Sequence, residues 1–226
     1  MFEIKFFQGY RPQNTQYLAV HHSGGLGNDV LAKTQNLTAE DVNREHRARW
    51  DFISSLGWYA GYNFFISNDG KITQFRAIGE KTAAQKGFNF KGEVISVCLA
   101  GNFTPGVESP TLAQIAALKD LAKEIAAKGV AILPWNIVPH RFFGMTECYG
   151  TALADDWARK IITQTVVIVH PNSPSGDEAK ILTAKLSLLQ QILELLAKVV
   201  DLQRQLKFGV FRFGHVGKDC HEADLR

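Results

Sequence analysis

Strands alternating with helices along most of the chain predict an α/β fold: a central mixed β-sheet flanked by helices, plus a C-terminal long amphipathic helix. Three observations carry that reading. The apolar runs at residues 17–22 and 94–100 hold few polar residues, as strands buried on both faces do. Two β-type runs, 62–67 and 71–75, flank Asn68-Asp69-Gly70, a hairpin signal because Asp and Gly tolerate positive φ. Between and after these runs, apolar residues recur at helical spacing. A hairpin within an otherwise parallel arrangement makes the sheet mixed.

Each element follows in order. Residues 17–22 form a buried strand that empties into the glycine-rich loop Ser23-Gly24-Gly25-Leu26-Gly27. Thr38 is placed to cap a helix whose first turn holds Glu40 and Asp41, and which passes Val42, His46, Trp50 and Ile53 to stop near Gly57. The hairpin comes next, then the central strand from Val94. Pro110 suits a first helical position ahead of Leu112, Ile115, Leu118, Leu121 and Ile125, and Gly129 ends that helix. Residues 151–162 read as the last helix of this domain.

Composition changes at His170-Pro171-Asn172-Ser173-Pro174-Ser175-Gly176. The expected organisation is therefore a domain over 1–168, a linker over 169–176 and a helical tail over 177–226. In the tail Leu188, Ile192, Leu195, Val199, Leu202 and Leu206 alternate three and four apart, as in a coiled-coil seam. Leu189, Leu193, Leu196 and Val200 widen that stripe, so something must cover it. Self-association into a homo-oligomer is the leading expectation; folding back on the domain and lying on a membrane surface are the alternatives.

Hydrophobic content of 46% and charged content of 21% are those of a globular chain. A net charge of +3 favours an anionic polymer weakly, and no Lys/Arg block interleaved with aromatics points to nucleic acid. No transmembrane segment is expected, because no stretch stays apolar and charge-free for the roughly 18 residues a span needs. The start has no secretory pattern, so a cytoplasmic protein is expected. Three cysteines do not make a disulfide framework. Cys98 reads as a small core residue, and His215, Cys220 and His221 as a solvated terminus.

The chemistry lies elsewhere. A histidine pair, His21-His22, ends the first strand, and His140 and Cys148 share one later segment. Two imidazoles and a thiolate suit a tetrahedral zinc with one vacant position, the arrangement of hydrolytic rather than structural sites. Neighbouring strand residues face opposite ways, so one of His21 and His22 faces the metal; spacing does not say which.

Val20-His21-His22-Ser23, Gly61-Tyr62-Asn63-Phe64, Cys98-Leu99-Ala100-Gly101-Asn102-Phe103 and His140…Thr146…Cys148 keep a fixed order. In these motifs, over roughly residues 15–165, the sequence resembles the type-2 zinc N-acetylmuramoyl-L-alanine amidases. That family includes phage lysis enzymes and peptidoglycan-recognition proteins. The resemblance implies that His21, His140 and Cys148 bind Zn2+, that Tyr62 orients water or steadies the oxyanion, and that Thr146 adds a neutral hydrogen bond where some members have Lys. Two departures stand out. Gln85 lies in a segment where many members carry His, and Tyr149-Gly150 follows Cys148 where Pro is common.

The expected function is zinc-dependent hydrolysis of the N-acetylmuramoyl-L-alanine amide in peptidoglycan by a phage or prophage endolysin, held in the cytoplasm and reaching the wall after release. The alternatives are a non-catalytic peptidoglycan-binding module and a cytosolic muropeptide-recycling amidase. Recycling members carry Asp as third ligand and binding-only members lack the cysteine, so Cys148 favours the lytic reading.

Overall fold

The computed structural model describes residues 3–85, 92–163 and ten helical positions between 187 and 199. In chain order the elements are β1 (Tyr17–His22), α1 (Ala39–Arg49), β2 (Phe64–Ile66), β3 (Ile72–Gln74), β4 (Val94–Leu99), α2 (Leu112–Ala127), β5 (Ile137–Pro139) and α3 (Trp157–Thr163). The fold is α/β, with one five-stranded sheet ordered β3-β2-β4-β1-β5. β1 lies between β4 and β5, parallel to both, β2 runs parallel to β4, and β3 closes one edge antiparallel to β2. Gly70 makes that hairpin tight: its φ is +85°, and a Cβ there would lie 2.8 Å from the Ala113 carbonyl.

Side chains alternate across the strands, so the two faces of the sheet differ. Leu18, Val20, Ile66, Val97 and Leu99 pack with Leu118, Leu121 and Ile125 of α2 into the larger apolar core. Phe65, Cys98 and Ala100 pack instead with Ala39 and Val42 around α1. Cys98 is thus the core residue that its apolar run predicted.

The termini of the helices explain where sequence and structure part. Thr38 caps α1 in a reciprocal capping box with Asp41, an arrangement worth about 1 kcal/mol. The helix ends at Arg49, short of Gly57, because the next residues have other partners. Trp50 Nε1 donates to the Tyr59 carbonyl (3.0 Å), the Phe52 carbonyl accepts from Arg76, and Ser54 Oγ donates to Phe75 O (2.6 Å). α2 begins after Thr111, which forms a second capping box with Gln114, so Pro110 lies outside it. α3 starts at Trp157 rather than 151, because the Leu153 and Ala154 carbonyls already serve Arg141 and Tyr149. β5 was not foreseen: its three residues end in proline and show no period of their own.

Arg76, fully buried, pins the segment after α1. It donates to the Ala60 carbonyl (2.7 Å) and lies 3.7 Å from Glu80, which accepts from Ser55 N and Oγ, both at 2.8 Å. The charge is paired and hydrogen-bonded, the condition for burying one.

Contacts divide the chain into Met1–Thr165 and Val166–Arg226. In the second unit, Leu188, Leu189, Ile192, Leu195, Leu196 and Val199 are helical and exposed. The linker, the rest of the tail seam and His215, Cys220 and His221 lie outside the described residues. Among the described residues no helix is long and apolar enough to cross a membrane.

Candidate metal centre

The site is built at the carboxyl ends of parallel strands, where open α/β sheets leave a crevice. Strand alternation separates the two histidines that end β1. His21, 1% exposed, stands level with Cys98 of β4 on the α1 face. His22 turns to the other face, where its Nδ1 accepts from Phe103 N at 3.0 Å. Because Val20 is in register with Pro139 at the end of β5, the next residue, His140, lands beside His21, with ring centroids 4.4 Å apart.

Cys148 arrives on a loop held from three sides. Its Sγ lies 3.7 Å from His21 Nδ1 and accepts from His22 N at 3.4 Å, while its backbone N donates to Thr146 Oγ1 at 3.3 Å. Arg141, whose own N donates to the Cys148 carbonyl (2.9 Å), also bonds the carbonyls of Gly150 and Leu153. The departure at Tyr149-Gly150 has a packing reason. Tyr149 is fully buried and donates to Ala154 O at 2.8 Å, and a Cβ on Gly150 would lie 2.2 Å from the Phe103 carbonyl.

His21, His140 and Cys148 can hold a metal ion: one ligand atom from each lies within 4.8 Å of the others. The donor set fits zinc, a borderline cation that takes imidazole and thiolate tetrahedrally. Burial, then the neighbouring His140 and His22, keeps the His21 imidazole well below its ordinary value, and burial lowers His140 too. Both rings are therefore neutral, the form that coordinates. Burial pushes the Cys148 thiol up to about 12, against the pull of the His22 N–H and Arg141. A buried thiol becomes a thiolate when a divalent cation supplies the missing charge.

A cavity of about 250 Å³ opens over these residues, walled by His46, Trp50, Tyr62 and Ala83. Tyr62 is half-buried, its ring 5.1 Å from that of His21. Burial, then the Cys98 and Cys148 thiols, raises its hydroxyl well above the usual phenol range, so it stays protonated and can donate. Thr146 lines a second cavity of about 200 Å³ instead. The two cavities share His22, Gly24 and Cys148, so the Tyr62 and Thr146 hydroxyls flank the ligand cluster from different sides.

Two residues here were missed as functional candidates. His46, read as part of a helical stripe, accepts from Gly61 N at Nδ1 (3.0 Å), which leaves its proton on Nε2; its ring packs tilted against Trp50 at 4.6 Å and lines the cavity. Its i, i+4 spacing to Trp50 was the available signal. Arg141, visible only as the residue after a candidate ligand, organises the cysteine loop. Gln85, noted only as a departure, is 2% exposed and reaches His21 Nε2 at 2.7 Å.

A family model described as N-acetylmuramoyl-L-alanine amidase matches residues 11–151. Peptidoglycan-recognition protein SC2 of Drosophila melanogaster is 30% identical over 137 residues, which is 60% of this chain and 68% of that protein. The protein of the same name from Drosophila simulans aligns with equal identity and coverage. Among solved structures, an endolysin N-acetylmuramoyl-L-alanine amidase from Clostridium intestinale matches at 24% identity with a TM-score of 0.45, covering 62% of this chain and 77% of that one.

Proposed function

The chain belongs to the N-acetylmuramoyl-L-alanine amidase family, and from that premise we propose that it hydrolyses the amide between N-acetylmuramic acid and L-alanine in peptidoglycan, with zinc held by His21, His140 and Cys148. The observation that carries this reading is the convergence of two neutral imidazoles and a half-buried thiol at a cavity of about 250 Å³. Zinc bound there supplies Lewis-acid polarisation of the carbonyl and acidifies water near neutral pH.

The protein's own groups do the rest. Tyr62, protonated and on the cavity wall, donates a hydrogen bond to the oxygen on which negative charge develops. His46 offers its Nε2–H to a substrate carbonyl, its other nitrogen being committed to Gly61. Thr146 offers a hydroxyl from the far side of Cys148 and positions the part of the substrate lying in the second cavity. A neutral hydroxyl stabilises an oxyanion less than an ammonium would.

The thiolate third donor supports a wall-lysing enzyme over a recycling one, acting on peptidoglycan outside the cytoplasm. The amidase unit is assigned to residues 1–168 and the tail to joining copies, supported by the exposed Leu188, Ile192, Leu195 and Val199 along one helical stripe. A second reading, a module that binds peptidoglycan without cutting it, is favoured by the relatives named for recognition. Digestion of purified peptidoglycan decides between them. The protein as purified should carry about one zinc per chain and release L-alanine amino termini. Zinc without new amino termini would establish the binding module.

A further inference from the structure

Gln85 occupies a place that a zinc site gives to a partner of its ligand. His21 points Nδ1 at Cys148 Sγ (3.7 Å) and Nε2 at the Gln85 side-chain amide (2.7 Å). Its metal-facing nitrogen is therefore Nδ1, and Gln85 sits at the other. The amide is held by two hydroxyls: Ser96 Oγ lies 2.8 Å from Gln85 Nε2 and 3.0 Å from Oε1, and Oε1 also accepts from Thr82 Oγ1 at 3.2 Å. Gln85 and Ser96 are both buried, so neither bond is shared with bulk water.

With the amide nitrogen facing His21, Gln85 donates to Nε2, and the ring proton sits on Nδ1, directed at the cysteine sulfur. A cation among the three ligands needs the Nδ1 lone pair, which moves the ring proton to Nε2. That proton then needs an acceptor in a dry environment, and the amide oxygen provides one after a half-turn of the terminal group. The half-turn keeps the amide hydrogen-bonded, because Ser96 Oγ lies 2.8 Å from one of its polar atoms and 3.0 Å from the other, and a hydroxyl can donate or accept.

Building on the zinc reading above, we propose that Gln85 is a positioning residue that sets the tautomer of His21, turning its amide so that it donates when Nδ1 is protonated and accepts when Nδ1 binds metal. A carboxylate accepts but does not donate, so it would hold the Nε2–H tautomer with or without metal, whereas an amide pairs with either tautomer. The metal-free site therefore stays hydrogen-bonded and ready to load.

The test is zinc affinity, measured by chelator competition on the full chain for wild type, Gln85→Met and Gln85→Glu. Both substitutions keep the side chain's length, so folding is checked by thermal unfolding of the metal-free proteins. Gln85→Met, which can neither donate nor accept at that end, should weaken zinc binding roughly 10–100-fold, as loss of an outer partner does. Gln85→Glu accepts from Nε2–H, Ser96 and Thr82 together and should hold zinc at least as tightly as wild type. Nitrogen-15 spectra of His21 should show the proton on Nδ1 without zinc and on Nε2 with it. Equal affinities for all three proteins would overturn the proposal, as would parallel losses for Met and Glu tracking their thermal stabilities. Wild type without zinc affinity would instead remove the metal reading itself.

Discussion

The two faces of the central sheet solve opposite problems with the same strands. Under α2 and α3 the side chains are mostly apolar: Val20, Ile95, Val97, Leu99 and Leu118 are fully buried in one cluster. Under α1 the same strands present His21, Ser96 and Cys98, with Gln85 and Tyr62 against them. Polar groups survive there because each has a partner; among the described residues no buried side-chain nitrogen or oxygen lacks one. His21 and His22, adjacent in sequence, fall on either side of this divide. One face carries the larger apolar cluster, and the other holds a donor set in place.

The sharpest way to break the comparison is to remove a ligand from the polar face. Cys148→Ser should abolish stoichiometric zinc and lower release of L-alanine amino termini by more than the roughly 100-fold typical of losing an outer partner. The metal-free variant should unfold close to the metal-free wild type, since the apolar face is untouched. Metal analysis, a digestion assay and unfolding with and without chelator check this together. A variant that keeps full activity would end the zinc reading.

Leu118→Ala is the reverse experiment. Leu118 is fully buried in the apolar face, and truncating it should cost about 2–5 kcal/mol in urea unfolding. The folded fraction should still bind one zinc, because no ligand rests on that side chain. If zinc affinity fell with stability, the two faces would not be separable.

His22 tests the divide itself. His22→Leu leaves the Phe103 N–H without its acceptor and should cost about 1–3 kcal/mol while zinc remains bound. His22→Asn, whose side-chain oxygen can take that hydrogen bond, should recover part of the loss. Zinc loss in both variants, measured by metal analysis, would instead make His22 a ligand.

Much of the closed face was legible in the sequence and less of the open one. The runs at 17–22 and 94–100, the Asp69-Gly70 hairpin and the Thr38 cap announce themselves through period, composition and local hydrogen bonding, which are short-range properties. The order β3-β2-β4-β1-β5 does not, because pairing partners are distant in the chain. At the site, ligand chemistry and motif order singled out His21, His140 and Cys148. Gln85 stood out only as a departure from a family pattern, and His46 was hidden inside an amphipathic stripe. Their roles come from atoms 64 and 15 residues away in sequence, His21 Nε2 and Gly61 N. The end of α1 was misplaced for the same reason, since the Phe52 carbonyl is claimed by Arg76 across the fold.

The smallest expected effect lies on the open face and appears only as pH falls. Burial, then Arg49 and Arg76, holds His46 at about 4, below the ordinary 6.5. Between those values the unfolded chain binds a proton at this site and the folded chain does not, so stability is fully present above about 6.5 and drains as pH falls toward 4. His46→Asn offers an oxygen near the Nδ1 position for the Gly61 N–H but does not titrate. Urea unfolding of both metal-free proteins at about pH 7 and about pH 4.5 should therefore show a smaller loss in the variant than in wild type. Every other group is the same in both proteins, so its contribution cancels in the difference. Equal losses would mean that His46 is already charged in the folded state and that its Nδ1 does not accept from Gly61, which would withdraw the donor role assigned to its Nε2–H.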